Sequence, residues 1–396
     1  TMRDIVTGLE AALRDVYGAN YGKTKFACIT HSTGGLVARS WILRYYGDNM
    51  AALPMTHLIS LAPPTNGSRL AELGKSRLSR LRSLIGIEPG MKILDALELG
   101  SAFQWNLNTE WMRRKLHDAD GFFPFVIAGQ WIDMKLWDNI IPATYERGSD
   151  GVVRASAANL NMQRISVAPD GTALRDVMGG IPFLVPPKTA HSDKTFGIMG
   201  SIPLTGDHPV WNGIAAALEV KTRDDHDKVE ADWAMKTTAL QRSDQYYDGT
   251  PLERYCQIVF RISDSNGEPI HDYALELIDQ SGNGGNLPKG FFCDKHQNEP
   301  NPEMFVFYLD YDRLHQVPGG KLGFKIQAAL GTPFVEYVAT TFLSPSDVES
   351  IIRPNQTTLI DVVLRRRIKK NLFQLTTDFS EQPIGKDPGG PDDWVP

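Results

Sequence analysis

The stretch FACITHSTGGLVAR, residues 26–39, decides the fold. It is typical of an apolar strand, an abrupt turn at Ser32 and the beginning of a helix. A serine hydroxyl becomes an effective nucleophile when it is held rigidly, exposed beside a base and faced by backbone N–H groups that can hold negative charge. A strand-to-helix elbow provides this geometry, and Gly34 and Gly35 allow the helix to pass close to the strand. The stretch therefore predicts an α/β fold with Ser32 as its nucleophile.

This elbow departs from the general pattern G-x-S-x-G at its first position, which is Thr30. Because this position faces the tightest part of the turn, Thr30 predicts either more open packing or a strained backbone there. An ordinary strand–helix turn is the alternative interpretation. The apolar strand before Ser32 and the helical pattern after it favour the nucleophile, because they are the context that the motif requires.

Composition limits the classes of protein and partner. A chain of 396 residues predicts two domains, and 42% hydrophobic with 22% charged residues is ordinary for a globular protein. A net charge of -6 gives no reason to expect a nucleic-acid partner. No apolar run approaches the roughly 18 residues of a membrane span, so we expect any membrane contact to be peripheral. Three scattered cysteines predict neither a disulfide framework nor a zinc site, and we expect no metal and no cofactor.

A second motif follows the elbow. Residues 55–61, MTHLISL, form an apolar run that predicts a buried strand, and APPTNGSRLA follows at residues 62–71. Here the chain resembles bacterial lipases and the related GPI-inositol-deacylase-like serine esterases of the α/β-hydrolase superfamily. In these proteins a T-P-x-x-G-S-x-x-A turn follows the strand after the nucleophile helix, and Ala62 stands where threonine is usual. The resemblance covers about residues 1–220 and implies an α/β-hydrolase fold and ester hydrolysis.

The catalytic acid is predicted in a loop. A carboxylate must orient the histidine and balance its positive charge, and loops at strand ends are where such groups lie. Residues 148–153, GSDGVV, resemble the acid loop of these lipases, which makes Asp150 the candidate. Asp133 and Asp138, earlier in the chain, are competitors, and an ordinary Asp-Gly turn is the structural alternative for Asp150.

The base and the oxyanion donor complete the predicted site. Residues 181–185, IPFLV, predict a last strand, and His191 lies in the loop after it, where the family has its histidine. His208, close to the next helix, is the alternative base. The resemblance also implies that the Thr33 backbone N–H is one oxyanion donor. The resulting chain order of Ser32, Asp150 and His191 is that of the α/β-hydrolases.

The family fold also predicts a segment upstream of this sequence. Several strands precede the nucleophile in α/β-hydrolases, and one of their loops donates the second half of the oxyanion hole. Here the elbow is preceded only by an amphipathic helical pattern from Ile5 to Val16. We therefore expect a separate N-terminal segment or chain to complete the fold and the oxyanion hole.

The predicted architecture is an α/β-hydrolase fold lacking its first strands, with a helical cap, followed by a C-terminal β-sandwich. Short strands predicted after residue 254 alternate with turns such as DSNG, residues 264–267, which is the pattern of a sandwich. The predicted divisions are a hydrolase domain at 1–220 with its cap at about 68–122, a charged linker with a partial helix at 221–253, a β-sandwich at 254–375 and an extended tail at 376–396.

Two functions are compatible with these motifs. The first is a serine hydrolase that cleaves the carboxylic esters of acyl lipids, as a lipase or phospholipase, through Ser32, His191 and Asp150. The second is a hydrolase fold used as a binding or secreted effector module, whose β-sandwich docks to a membrane or a protein partner. The sequence does not decide the exact lipid or the location, cytoplasmic or secreted.

Overall fold

The fold is that of a computed structural model, which describes residues 1–71, 90–132, 146–246, 249–328, 334–344 and 347–368. Helices in these ranges are α1 (Met2–Tyr17), α2 (Thr33–Tyr46), α3 (Met91–Leu97), α4 (Ala102–Arg113), α5 (Ala155–Ala158), α6 (Pro209–Leu218) and α7 (Arg223–Ser243). Strands are β1 (Phe26–His31), β2 (Met55–Leu61), β3 (Phe123–Ile127), β4 (Met162–Val167), β5 (Ala173–Met178), β6 (Phe183–Leu184), β7 (Tyr255–Asp264), β8 (Tyr273–Ile278), β9 (Phe292–Gln297), β10 (Met304–Asp310), β11 (Gly323–Ala328), β12 (Val335–Tyr337), β13 (Thr340–Leu343), β14 (Thr357–Leu364) and β15 (Arg366–Ile368).

A parallel sheet with the order β1-β2-β3-β6 forms the centre of the N-terminal part. Neighbouring residues of its strands point to opposite faces. Leu58 and Val126 enter the core that contains residues of α1, α2 and α4, whereas Ile59 and Phe125 enter the core under α6 and α7. Helices therefore cover both faces of β2 and β3, which explains why these two strands read as continuous apolar runs.

Helices α3 and α4 fall within the predicted cap. α4 buries Trp105 and Trp111, and the Trp111 indole N–H donates to the Arg39 carbonyl of α2 at 3.2 Å. This part of the predicted cap therefore packs beside the nucleophile helix. Residues 72–89, which complete the predicted helical excursion, lie outside the described residues.

Most of the remaining strands form two sheets that share one apolar core. The larger sheet has the order β5-β4-β14-β7-β10-β9, and the smaller has the order β13-β11-β8. Phe260 of β7 meets Phe324 of β11 edge-on, with ring centroids 5.1 Å apart. Two sheets around one core are what a β-sandwich requires. Because residues 369–375 of the predicted domain lie outside the described part, the sandwich of residues 254–375 stays a prediction.

The larger sheet combines strands from both parts of the chain. β4 pairs in parallel with β14, and Ile165 of β4 packs in the same core as Ile360 of β14. The division predicted at residue 220 therefore does not separate the sheets. No sequence pattern predicted β4, whose apolar residues are interrupted by polar ones, or its neighbour β5, which is mostly exposed.

The segment predicted as a charged linker, residues 221–253, contains a long helix. α7 begins with a capping box, in which the Thr222 hydroxyl and the Asp225 carboxylate each accept the other's backbone N–H. Trp233, on its inner side, packs against Phe125 of β3 with ring centroids 5.8 Å apart. The high charge of α7 belongs to the exposed face of a packed helix. The predicted tail at 376–396 lies outside the described residues.

Across the described ranges, none of the helices combines the length and the apolar character needed to cross a bilayer.

Candidate active site

Ser32 occupies the turn between β1 and α2 in a conformation that L-residues rarely adopt, with φ 54° and ψ -128°. Its backbone N–H donates to the Leu61 carbonyl of β2 at 2.8 Å, which ties the turn to the sheet. A strained backbone was one of the two alternatives predicted at Thr30, and the strained residue is Ser32, two residues later. Thr30 lies opposite Gly34, where a Cβ would meet the Thr30 Cβ at 3.4 Å, so the glycine at 34 leaves room for the threonine.

Ser32, His191 and Asp150 form one hydrogen-bonded set, which we call the Ser32 cluster. The Ser32 hydroxyl lies 3.1 Å from His191 Nε2, and His191 Nδ1 lies 2.8 Å from Asp150 Oδ2. With the proton on Nδ1, the serine donates to the imidazole and the imidazole donates to the carboxylate. The side chains come from loops at the carboxyl ends of β1 and β6 and from the loop before α5.

The Ser32 cluster is closed to solvent. Ser32 is 7% exposed, and Asp150 and His191 are each 2% exposed. A cavity of about 20 Å³ adjoins Ser32 and His191, with a mainly apolar lining that includes Pro64, Leu70 and Val153. About one water molecule fits such a volume. An acyl chain therefore requires the walls of this cavity to move.

The Asp150 loop holds its carboxylate by backbone donors. Asp150 Oδ1 accepts the N–H groups of Val152 at 2.9 Å and Val153 at 2.7 Å. The Asp150 N–H donates to the Val153 carbonyl at 3.1 Å, and the His191 N–H donates to the Asp150 carbonyl at 3.0 Å. Asp150 Oδ1 is thus held within the loop, and Oδ2 is directed at His191.

His31 packs on the imidazole of His191, with ring centroids 4.8 Å apart. Its Nε2 donates to the His191 carbonyl at 3.1 Å. Burial and then the neighbouring His191 lower the pKa of His31 from 6.5 to about 4. His31 therefore stays neutral at pH 7 beside the His191 ring.

His208, the alternative base, does not join the Ser32 cluster. His208 caps the beginning of α6, and its Nε2 lies 3.2 Å from the Ser201 hydroxyl. Asp133 and Asp138 lie outside the described residues. Among the residues that the structure describes, His191 is the histidine that reaches Ser32, and Asp150 is the carboxylate that reaches His191.

Thr33 is the first residue of α2 and lines the same cavity. The N-terminal N–H groups of a helix lack intrahelical partners, and the helix dipole adds partial positive charge there. The Thr33 N–H therefore lies at the end of α2 that favours negative charge, and its role as an oxyanion donor stays a prediction. A second donor, expected on an upstream segment, stays a prediction.

Two residues near the site make contacts that sequence patterns do not predict. The Ser68 hydroxyl donates to the Val152 carbonyl at 2.6 Å, which links the turn at 62–71 to the Asp150 loop. Arg154 follows Asp150 by four residues and is 2% exposed. Apart from the nearby Glu146, its partners Gln257 and Asp294 lie on distant strands, so only the folded chain brings them together.

Comparison with solved structures identifies close relatives. Phospholipase PlaB from Legionella pneumophila superposes with a TM-score of 0.88 at 34% identity, covering 98% of this chain and 88% of that one. PlaB in complex with thio-NAD gives a TM-score of 0.88 at 33% identity, covering 97% of this chain and 86% of that one. No protein-family model and no curated protein sequence matches. Since identity and coverage are both high, the chain belongs to the family of PlaB, a lipase-like α/β-hydrolase, and is a carboxylic ester hydrolase.

Proposed function

We propose that the protein is a phospholipase whose nucleophile, base and acid are Ser32, His191 and Asp150. One observation carries the proposal: hydrogen-bond distances of 3.1 Å and 2.8 Å join Ser32 to His191 and His191 to Asp150. The apolar lining of the adjacent cavity supports an acyl substrate. The relationship to phospholipase PlaB supports a phospholipid.

The reaction proceeds by acyl transfer to the enzyme. Ser32 Oγ attacks the ester carbonyl while its proton passes to His191 Nε2, and the Asp150 carboxylate stabilises the resulting imidazolium. The Thr33 N–H donates to the oxyanion. The ester C–O bond then breaks, and the departing alcohol takes the proton from His191. A water molecule repeats the sequence on the acyl-enzyme and releases the fatty acid.

This geometry also favours an enzyme over a hydrolase fold used only as a binding module. A binding module has no need for a strained serine turn, yet Ser32 keeps φ at 54°. It also has no need for a buried serine, histidine and carboxylate within hydrogen-bonding distance of one another. The burial of such polar groups is costly unless they are paired, and catalysis accounts for their retention.

Substitution of Ser32 tests the proposal. We expect Ser32→Ala to abolish release of fatty acid from phosphatidylglycerol and phosphatidylcholine vesicles and hydrolysis of a soluble p-nitrophenyl ester, because the nucleophile is gone. Ser40→Ala is the matched control: it lies on the same helix, and its buried hydroxyl has no partner in the described part of the chain, so activity is expected to stay normal.

Activity on different lipids distinguishes a phospholipase from a triacylglycerol lipase. Fatty acid release from vesicles with little release from emulsified triacylglycerol supports a phospholipase. The reverse preference would keep the serine esterase and reject the phospholipid assignment. Wild-type levels of activity in Ser32→Ala would reject the assigned nucleophile.

A further inference from the structure

Arg154 connects the Asp150 loop, residues 148–155, to the C-terminal strands. The loop is closed at its base by the Ala155 N–H, which donates to the Gly148 carbonyl at 2.9 Å, and by a bridge between Ser149 and Arg154. The N–H groups of Val152 and Val153, which hold Asp150 Oδ1, immediately precede Arg154. Any movement of Arg154 therefore moves the groups that position the carboxylate.

The Arg154 guanidinium makes a fork with one carboxylate and reaches a second. Nε donates to Glu146 Oε2 at 2.9 Å, and one terminal nitrogen donates to Glu146 Oε1 at 2.7 Å and to Asp294 Oδ2 of β9 at 2.6 Å. The other terminal nitrogen donates to Gln257 Oε1 of β7 at 3.0 Å. Planar, bidentate pairs of this kind combine strength with directional specificity.

A tyrosine of β10 completes the attachment. The guanidinium lies over the Tyr308 ring, 4.1 Å from its centroid, and the Tyr308 hydroxyl donates to the Arg147 carbonyl at 2.8 Å. Gly148, with φ at 78°, packs so closely that a Cβ there would overlap the Tyr308 hydroxyl and the Tyr255 ring. Three strands of the larger sheet, β7, β9 and β10, thus hold both ends of the Asp150 loop.

The burial of this cluster makes the attachment rigid. Arg154 is 2% exposed, and Glu146 and Asp294 are 11% and 19% exposed. Burial is the largest single effect and lowers the pKa of Arg154, but Glu146, Tyr308 and Asp294 together outweigh it and raise the pKa. Removal of the cation leaves two largely buried carboxylates without their main partner, since Arg69 lies farther off, at 3.3 Å from Glu146 and 3.9 Å from Asp294.

We propose that Arg154 is a positioning residue: it fixes the Asp150 loop to the C-terminal sheet, so that this sheet determines where the catalytic carboxylate lies. Arg154 does not touch the reacting atoms. Its effect passes through the loop to Asp150, then to His191. The C-terminal strands are therefore part of the catalytic apparatus and not an accessory module. The inference rests on the proposed roles of Ser32, His191 and Asp150.

Kinetics of Arg154→Met on a soluble p-nitrophenyl ester test the inference, with active sites counted by fluorophosphonate titration. We expect kcat per active site to fall about 10- to 100-fold, with KM nearly unchanged, because a misplaced carboxylate weakens the transition state and not substrate binding. The acidic limb of the kcat/KM profile is expected to move to lower pH, because the His191 imidazolium loses part of its stabilisation. A merely structural role changes yield and Tm and leaves this limb in place.

Two milder substitutions and one matched control make the test specific to the contacts of Arg154. Asp294→Asn removes one partner, and Arg154→Lys keeps the charge without the fork; both are expected to give smaller changes in the same direction. Arg261→Met is the control, because Arg261 makes a similar fork with Asp361 in the same sheet, at 2.9 and 2.7 Å, and does not contact the Asp150 loop among the described contacts.

The outcomes separate the inference from the function on which it rests. A normal kcat and an unshifted acidic limb in Arg154→Met and Asp294→Asn, with Ser32→Ala inactive, would overturn the inference alone. If Arg261→Met matched Arg154→Met in both readouts, the effect would be general to the sheet and the inference would fail. Activity retained in Ser32→Ala would overturn the proposed function.

Discussion

At the scale of single residues, burial suppresses the basicity of histidines near and far from the site. His117 is 9% exposed, and within the described part of the chain its Nδ1 is buried without a hydrogen-bond partner. Burial lowers the pKa of His117 from 6.5 to about 4. His31 shows the same shift, and burial also lowers the pKa of His226, whose Nε2 donates to the Pro124 carbonyl at 3.0 Å.

These shifts predict a loss of stability in acid. Between pH 6.5 and pH 4 the unfolded chain binds a proton at His117 that the folded chain does not bind, so the free energy of unfolding falls as the pH falls. At pH 5 the effect of His117 is about 2 kcal/mol. We expect His117→Leu, which cannot titrate, to show a smaller fall in Tm between pH 8 and pH 5 than the wild type. Equal falls in the two proteins would show that His117 does not resist protonation in the fold.

At the scale of elements, the glycine pair after Ser32 sets how closely α2 approaches the turn at 62–71. A Cβ at Gly35 would lie 2.8 Å from the Pro63 Cβ and 3.4 Å from the Ser60 hydroxyl. Pro63 precedes Pro64, which lines the cavity at Ser32. The close packing of helix and turn therefore defines one wall of the site.

Alanine substitutions at two glycines test this packing. We expect Gly35→Ala to cost about 1–3 kcal/mol, because the turn or the helix must shift, and to lower kcat on a soluble ester. Gly8→Ala on α1 is the control: a Cβ there meets nothing within 4 Å, so stability is expected to rise by up to about 1 kcal/mol. Thermal melts of both variants measure the change in stability, and ester kinetics measure the change in kcat. A Gly35→Ala protein as stable and active as the wild type would mean that the helix and the turn are less tightly packed than described.

The sequence predicted strands with continuous apolar runs and missed the mostly exposed β5 and β9, as well as β4, whose apolar residues are interrupted by polar ones. β2 was predicted with its observed bounds, because its apolar run reports burial on both faces. β9, with the sequence FCDKHQ, is an edge strand and mostly exposed. Because most side chains of β9 and β5 are exposed, no pattern of buried apolar residues marked these two strands.

The residues of the candidate site also divide into those that the sequence predicted and those that it did not. Ser32 and Asp150 lie in local motifs whose residues are neighbours in sequence, and His191 follows the last predicted strand, so all three could be named in advance. The role of Arg154 could not, because Gln257 and Asp294 are more than a hundred residues away in the chain. Contacts of this kind depend on the register of β7 and β9, which sequence patterns do not specify.

At the scale of the whole molecule, the parallel sheet and the C-terminal sheets are joined by buried polar contacts as well as by β4. The Gln241 amide of α7 donates to Gln130 Oε1 at 2.6 Å, and the Asn355 amide donates to Gln241 Oε1 at 2.8 Å. The Asn159 amide donates to the Asn355 carbonyl at 2.7 Å. Such networks are stable only when their members are paired, so they oppose relative movement of the parts that they join. The position of Asp150 thus depends on the integrity of both parts.

The central claim is that Ser32, activated by His191 and Asp150, forms the acyl-enzyme. Covalent labelling with a fluorophosphonate probe, followed by mass spectrometry of the digested protein, tests it most directly. We expect one adduct, on Ser32. It should still form in Ser40→Ala, and it should form much more slowly in Asp150→Asn. An adduct on a different serine, or a folded and ester-hydrolysing protein that the probe leaves unlabelled, would contradict it.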